Sequence, residues 1–493
     1  MKFSLLYKTP NKCQKTMLGD DIIYNLQIDK AVSEFCQLQK RADYFIDTLK
    51  SAPLSIDDIK YRQEILTDFL NNENLVDELK LLFNRYDSIK SDWNELKANV
   101  YPAGLTGGYQ ALIDFTYSNL QITSTFARTI VSYFKNFHSV LSKYEIKSEA
   151  LSEIKRYCGE MQENESLAEI DKIASLFLYH TPEQFQFTLS LSLDETLAVT
   201  SSSLTEIKNI DDLPKNNIFK KILGLSKDAV PSEDLGSENS GDALYILNEA
   251  LYEISSILEG ITNEIYELFY GISNEFLFYD AAISYVHLLK DKEITYSFPT
   301  IVELDSDSFY AKDLKDMFLL LRGDDPTSVV GNNVEFSNND GGILIRGKNN
   351  TGKTVFLRSI GIAQIFAQSG LPICSPDAVI SIRQKVFSHF SSAEEELIEG
   401  DVAGRFESEV KEVASIINNI KPHSLVLFNE TFQTTSYDEG KDAIYTILLL
   451  LTKINSQFIF VTHLTGLFDS MIGGVKMLET DTGDNKYKLK AFN

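Results

Sequence analysis

Eight residues, Gly347 to Thr354 (GKNNTGKT), fit the pattern GxxxxGK[ST], and their types suit one task, the holding of a phosphate chain. Gly347 and Gly352 let the backbone turn sharply, so that the N–H groups of Lys348, Asn349, Asn350 and Thr351 can wrap phosphate oxygens at a helix N-terminus. Lys353 supplies a positive charge for the outer phosphates and Thr354 a hydroxyl ligand for Mg²⁺. Farther along, the apolar run SLVLF ends in Asn429 and Glu430. ATPases with such a loop put there an acid that orients Mg²⁺, which is missing here, followed by a carboxylate that can polarise an attacking water as general base. Asn429 offers an amide oxygen to Mg²⁺-bound water but no negative charge, so weaker metal affinity or slower turnover is expected. A third apolar run, QFIFVTH, ends in Thr462 and His463. A lone histidine there would be a structural side chain; the order of the runs makes His463 a candidate sensor of the terminal phosphate.

These side chains need a scaffold that brings distant strand ends together. After Pro326, short apolar runs at Ile343 to Ile345, Leu425 to Phe428 and Phe458 to Val461 alternate with helical patterns, which predicts an α/β domain with a mainly parallel sheet over 326–493. GGILIR leads into the glycine-rich loop and VFLRSIGIAQIFA follows it as an apolar helix. Residues 1–325 read as a mainly helical region. Apolar residues repeat at helical spacing from Ile56 to Tyr86, with Pro53 and Ser55 as a start signal. A glycine-rich break, Tyr101 to Tyr109, precedes amphipathic stretches over 111–145 and 148–179. The Thr-, Ser- and Val-rich segment 185–208 favours strands, 211–242 favours an exposed acidic loop, and helical periodicity resumes from Ala243 to about Lys292.

The formal net charge is -25, from 71 acidic and 46 basic residues. From residue 330 onward 15 Lys and Arg face 19 Asp and Glu, so the acidity belongs to the N-terminal two thirds. Such a balance excludes a surface that binds nucleic acid or anionic lipid everywhere and leaves only local patches. Lys215, Lys220 and Lys221 form one such group, of a kind that more often solvates a loop. Cys13, Cys36, Cys158 and Cys374 stand far apart with no CxxC pair, which argues against a zinc knuckle or a disulfide framework and for a reducing compartment. The N-terminus lacks a long apolar segment, and the longest apolar run, Ile447 to Leu451, is far too short to span a membrane. A cytoplasmic protein without membrane contact is expected.

Taken together, VGNNV at 330–334, GKNNTGKTVFLRSIG at 347–361, KVFSHFSSAEEELIEGDVAGRFESEVKE at 385–412, SLVLFNETFQTTSYDEG at 424–440 and VTHLTGLFD at 461–469 resemble the ATPase domain of the MutS family of DNA mismatch repair proteins, within the ABC-type ATPase group. APLSIDDIKYRQEILTDFL and the helices before YSFPT at 296–300 resemble, more weakly, that family's helical lever region. The resemblance implies an ABC-type P-loop ATPase domain preceded by a helical lever and core region, with ATP and Mg²⁺ as ligands. It implies Asn332 on the adenine side, Lys353, Glu430 and His463 as catalytic groups, and Thr354 and Asn429 at the metal. In the family the helix start after Glu394 reaches across a dimer to the partner's nucleotide. Gly404 and Arg405 stand where Ser and Thr are frequent, so Arg405 either stabilises phosphate charge in trans or pairs locally with Glu407 or Glu409.

The implied function is ATP-driven conformational switching on DNA, in mismatch repair or a related transaction, by a homodimer or heterodimer joined through the ATPase heads and working with other repair proteins. The chain starts almost directly in the helical region, without the family's mismatch-reading and connector domains, so recognition of mismatches by their Phe-x-Glu wedge is not expected. It ends soon after the last strands, where the family continues into helices that help the heads pair, and no nuclease-like C-terminal domain is expected. The alternative is an ATP-driven switch or assembly factor acting on a protein or ribonucleoprotein partner, which the acidic helical region would suit.

Overall fold

The computed structural model describes residues 3–99, 108–163, 165–180, 185–193, 199–209, 240–323, 325–391, 402–432, 437–468, 473–481 and 486–492. Along the chain these form α1 (Asp20–Asn25), α2 (Ile28–Ser33), α3 (Gln39–Lys50), α4 (Ile56–Asn71), α5 (Glu73–Asn99), α6 (Gly108–Ser142), α7 (Glu149–Glu163), α8 (Glu165–Tyr179), the strands β1 (Phe185–Leu193) and β2 (Val199–Asn209), and α9 (Ser240–Asp291). Then come β3 (Thr300–Val302), β4 (Phe309–Leu314), α10 (Met317–Arg322), β5 (Asn332–Phe336), β6 (Gly342–Arg346), α11 (Lys353–Gln368), β7 (Asp377–Ser381) and β8 (Val386–Phe390). The chain closes with α12 (Val402–Asn419), β9 (Leu425–Asn429), α13 (Tyr437–Lys453), β10 (Gln457–Val461), β11 (Val475–Thr480) and β12 (Leu489–Ala491). A helical N-terminal region is thus followed by an α/β region.

The helical pattern over 56–86 is divided at Asn72, whose carbonyl accepts from Leu75 and Val76 N–H at 3.0 and 3.4 Å and starts α5 afresh. Asparagine competes for backbone bonds and favours such breaks. The strand expectation at 185–208 corresponds to an antiparallel β1–β2 pair, with Phe185 opposite Asn209. Of the acidic loop expected at 211–242, residues 211–239 lie outside the described residues, and α9 starts at Ser240.

Contacts group the chain into two compact units. One comprises mainly Asn72–Lys147 and Leu151–Ser273, the other Phe3–Asn71, Ser148–Ala150 and Asn274–Asn493. In the first, apolar residues at helical spacing on α6, α8 and α9 meet in a core that includes Tyr117, Leu120, Phe177 and Leu251. Tyr86 is fully buried, stacked on Tyr266 at 4.8 Å, and its hydroxyl donates to the Tyr266 carbonyl at 2.9 Å. A buried Tyr hydroxyl needs such a partner.

In the second unit a six-stranded sheet runs in the order β12-β11-β6-β10-β9-β8, parallel except for β12. The sequences GILIR, LVLFN and QFIFV are buried nearly throughout, as strands covered on both faces must be. A four-stranded sheet, β3-β7-β4-β5, lies in the same unit. Its β3 and β4 fall within the stretch read as helical, and are short enough to escape a periodicity test.

The domain boundary expected at 325/326 is not where the contacts divide, because residues 3–71 pack on the α/β region. Arg358 of α11 is held by both Asp316 oxygens, at 2.7 and 2.9 Å, and by Gln27 Oε1 at 2.7 Å. Asn25 donates to Ser388 Oγ on β8 at 3.0 Å, and Thr16 to the Gln384 carbonyl at 3.0 Å. Leu26 reaches Gly361 of α11 so closely that a Cβ there would have no room. Among the described residues no helix is long and apolar enough to cross a membrane.

Candidate functional site

Register explains why the chosen side chains meet. Phe390, Asn429, Val461, Ile345 and Leu478 lie abreast on β8, β9, β10, β6 and β11, so the chain leaves all five strands along one edge of the sheet. This is the carboxyl edge, where parallel α/β sheets place their ligands. The glycine-rich loop leaves β6 there and turns into α11. Gly352 is the N-cap of α11 with φ 88°, a left-handed conformation that costs glycine little, and Asn350 precedes it at φ 60°. A Cβ at Gly347 would run into Thr480 Oγ1.

Lys353 is 5% exposed, and its Nζ donates to the Gly347 carbonyl at 2.6 Å and lies 3.1 Å from Glu430 Oε1. The other carboxylate oxygen of Glu430 accepts from the His463 backbone N–H at 3.1 Å and stands 2.8 Å from His463 Nδ1. Thr354 Oγ1 donates to Asn429 Oδ1 at 3.1 Å, and Thr351 Oγ1 to the Lys348 carbonyl at 2.7 Å. Lys353, Thr354, Asn429, Glu430 and His463 thus form one connected constellation.

The turn that carries Glu430 is strained. Glu430 and Phe432 have φ of 54° and 63°, conformations costing about 1–3 kcal/mol each for residues with a Cβ. They are held by surrounding bonds. The Glu430 N–H donates to the Val461 carbonyl at 2.9 Å, Ser391 N–H to the Asn429 carbonyl at 3.0 Å, and Thr431 Oγ1 lies 2.9 Å from His389 Nδ1.

Asn332 is buried, and both ends of its amide are engaged on the β11–β12 connection: Nδ2 donates to the Tyr487 carbonyl at 3.2 Å and Oδ1 accepts from Leu489 N–H at 2.9 Å. It thereby fixes Tyr487, which is 40% exposed and whose ring lies against the loop, so that a Cβ at Gly352 would be 3.2 Å from Tyr487 Cδ1. Sequence reasoning missed Tyr487; its only signal was an aromatic in the polar sequence TGDNKYK. It also missed His389 and Thr431. Gly404 and Arg405 lie in the first turn of α12, but their side chains, like residues 392–401, fall outside the described residues. Burial lowers the His389 pKa, whereas the hydrogen bond from Arg346 holds the Glu479 carboxyl below its ordinary value.

The family model for MutS domain V matches residues 343–486, the stretch that contains all five residues of the constellation. Residues 343–486 are thus similar to MutS domain V. A DNA mismatch repair protein MutS of Caldicellulosiruptor saccharolyticus is 31% identical over 161 residues, which is 31% of this chain and 18% of that protein. An endonuclease MutS2 of Clostridium novyi is 35% identical over 144 residues, 29% of this chain and 18% of the relative. The MutS protein of Prochlorococcus marinus is 32% identical over 135 residues, 27% of this chain and 14% of its own length. The chain therefore spans less than a fifth of the length of these curated relatives.

Proposed function

We propose that this chain is an ABC-type, Mg²⁺-dependent P-loop ATPase of the MutS family whose binding and hydrolysis of ATP switch its conformation on DNA, in mismatch repair or a related transaction. The observation that carries this reading is the convergence of Lys353, Thr354, Asn429, Glu430 and His463 at the carboxyl edge of one parallel sheet. The donor set fits a triphosphate. The loop backbone opens onto a helix N-terminus, Gly347 and Gly352 lie where a side chain would obstruct or strain it, and a buried lysine has a carboxylate and a carbonyl as its partners among the described residues.

In this scheme Lys353 moves from Glu430 to the outer phosphates, and the loop N–H groups of Lys348 to Thr351 hold the inner ones. Thr354 and Asn429 would hold Mg²⁺, which when bound supplies neutralisation of the developing phosphate charge. Release from Lys353 leaves Glu430 free to orient and deprotonate a water, while His463, steadied by Glu430, faces the terminal phosphate. Asn332 acts through Tyr487, which offers a ring on the base side of the loop. Gly404 and Arg405 would serve a partner head, as homodimer or heterodimer, with DNA and other repair proteins as the larger partners.

A second reading, a switch acting on a basic protein or ribonucleoprotein, is favoured by α9, whose outer face exposes Tyr245, Tyr252 and Tyr270 among Glu249, Glu253 and Glu264. One experiment separates the two. ATP hydrolysis by the purified chain is measured at low salt, with and without homoduplex, mismatched and branched DNA, with Lys353→Ala as the blank. Rates that respond to DNA support the first reading. Hydrolysis indifferent to every DNA supports the second, and no Mg²⁺-dependent hydrolysis removes both.

A further inference from the structure

His389 lies on β8, one strand away from the constellation, 3% exposed and touching neither Lys353 nor Glu430 in any hydrogen bond the structure records. Its two ring nitrogens face two different elements. Nδ1 is 2.9 Å from Thr431 Oγ1, in the strained turn after β9, and Nε2 is 3.3 Å from Glu412 Oε2 on α12. A carboxylate only accepts, so the tautomer with its hydrogen on Nε2 suits the Glu412 oxygen that faces it. Burial disfavours the charged ring, so Nδ1 is left as an acceptor and the Thr431 hydroxyl donates to it. A second link runs alongside: Glu409 of α12 accepts from Ser391 Oγ at 2.5 Å, and Ser391 N–H holds the Asn429 carbonyl.

We propose that His389 is a positioning residue: through Thr431 it fixes the turn that aims Glu430, and through Glu412 it ties that turn to α12. Glu430 and Phe432, on either side of Thr431, both have positive φ, and a turn of that kind keeps its shape only when its neighbours determine it. Thr431 is 2% exposed, so in the native site the imidazole, and not bulk water, is the partner of its hydroxyl. α12 is also the helix on which Gly404 and Arg405 stand. A displacement of α12, by a partner head or by nucleotide, therefore reaches the Glu430 turn along two short routes, the hydrogen bonds through Ser391 and the 3.3 Å contact of Glu412 with His389. The proposal rests on the ATPase reading given above and adds the residue that links α12 to the catalytic turn.

The test compares steady-state ATP hydrolysis and thermal midpoints of wild type, His389→Ala, His389→Asn and Thr431→Val. The expected result is a kcat lowered about tenfold or more in His389→Ala at nearly constant KM. His389→Asn places an acceptor oxygen where Nδ1 stood and should recover much of the rate, although it cannot reach Glu412. Thr431→Val keeps the side-chain shape and should mimic His389→Ala without unfolding, so the inference stays testable if the alanine variant does not fold. Folded His389→Ala and Thr431→Val proteins with wild-type kcat would overturn it, as would a loss that tracks the thermal midpoint and is not recovered by asparagine. A wild type without hydrolysis overturns the ATPase reading and this inference together; an active wild type with indifferent variants overturns this inference alone.

Discussion

Lys353 and Glu430 neutralise one another at 3.1 Å, the lysine side chain 5% and the carboxylate 13% exposed. Each is thereby engaged by the group it must leave in order to act. Glu430→Gln removes the charge and keeps the shape, so Lys353 loses its strongest competitor to a phosphate. Nucleotide should bind as tightly as to wild type or tighter, while hydrolysis should fall about 10²–10⁴-fold if Glu430 is the general base proposed above. Equilibrium titration with a fluorescent ATP analogue, beside steady-state turnover, checks both halves. Weakened binding in Glu430→Gln would show that the pair assists the loop and does not compete with it.

Arg358 and Asp316 form a buried ion pair with two hydrogen bonds, and Asp316 also caps α10 by accepting from Leu319 N–H at 2.8 Å. Removing one member leaves a buried charge uncompensated, at a cost of about 3–5 kcal/mol. Asp316→Ala should lower the urea midpoint of the unit that contains α11 by a corresponding amount, followed by circular dichroism. A change below about 1 kcal/mol would mean that water reaches Arg358 once the carboxylate is gone.

The loop, the three apolar strands and their terminal residues were legible because each is a local pattern with fixed offsets, and parallel register then aligns their ends. The packing of residues 3–71 was not. Arg358 to Gln27, Leu26 to Gly361 and Asn25 to Ser388 join positions far apart in the chain, and no local pattern records them. The same holds for Asn332, which was singled out for its neighbourhood in the chain but whose amide is spent on the backbone of Tyr487 and Leu489. His389 was quoted within a matching segment yet not singled out, because an isolated histidine in a strand looks structural until its two partners are seen.

Glu275 is buried where Ser4 Oγ donates to Oε1 at 2.8 Å and Leu5 N–H donates to Oε2, and burial raises its pKa against these bonds. The native state then holds a proton that the unfolded state has released above an ordinary carboxylate pKa of about 4.3. The stability gained from neutral Glu275 is complete below that value and is lost as pH rises through the raised native pKa. Glu275→Gln should remove this component, so the difference in urea midpoint between variant and wild type should move in the variant's favour from pH 4 towards pH 7, roughly. A pH-independent difference would mean that the carboxyl titrates alike in the folded and unfolded states.

Asn429 accepts from Thr354 Oγ1 at 3.1 Å, which puts its oxygen beside the hydroxyl assigned to the metal. If both belong to a Mg²⁺ site, Asn429→Asp adds a negative charge where a hard cation prefers one. Its nearest cost is repulsion from Glu430, already offset in the resting site by Lys353. The half-saturating Mg²⁺ concentration for hydrolysis at fixed ATP should therefore fall about tenfold, equivalent to about 1.4 kcal/mol. Turnover at saturating Mg²⁺ should stay level or rise, because Glu430 is untouched. Titration of Mg²⁺ in the hydrolysis assay decides the matter. An unchanged half-saturation point would show that the Asn429 oxygen serves only to hold Thr354, and the metal would then depend on the hydroxyl and on phosphate oxygens.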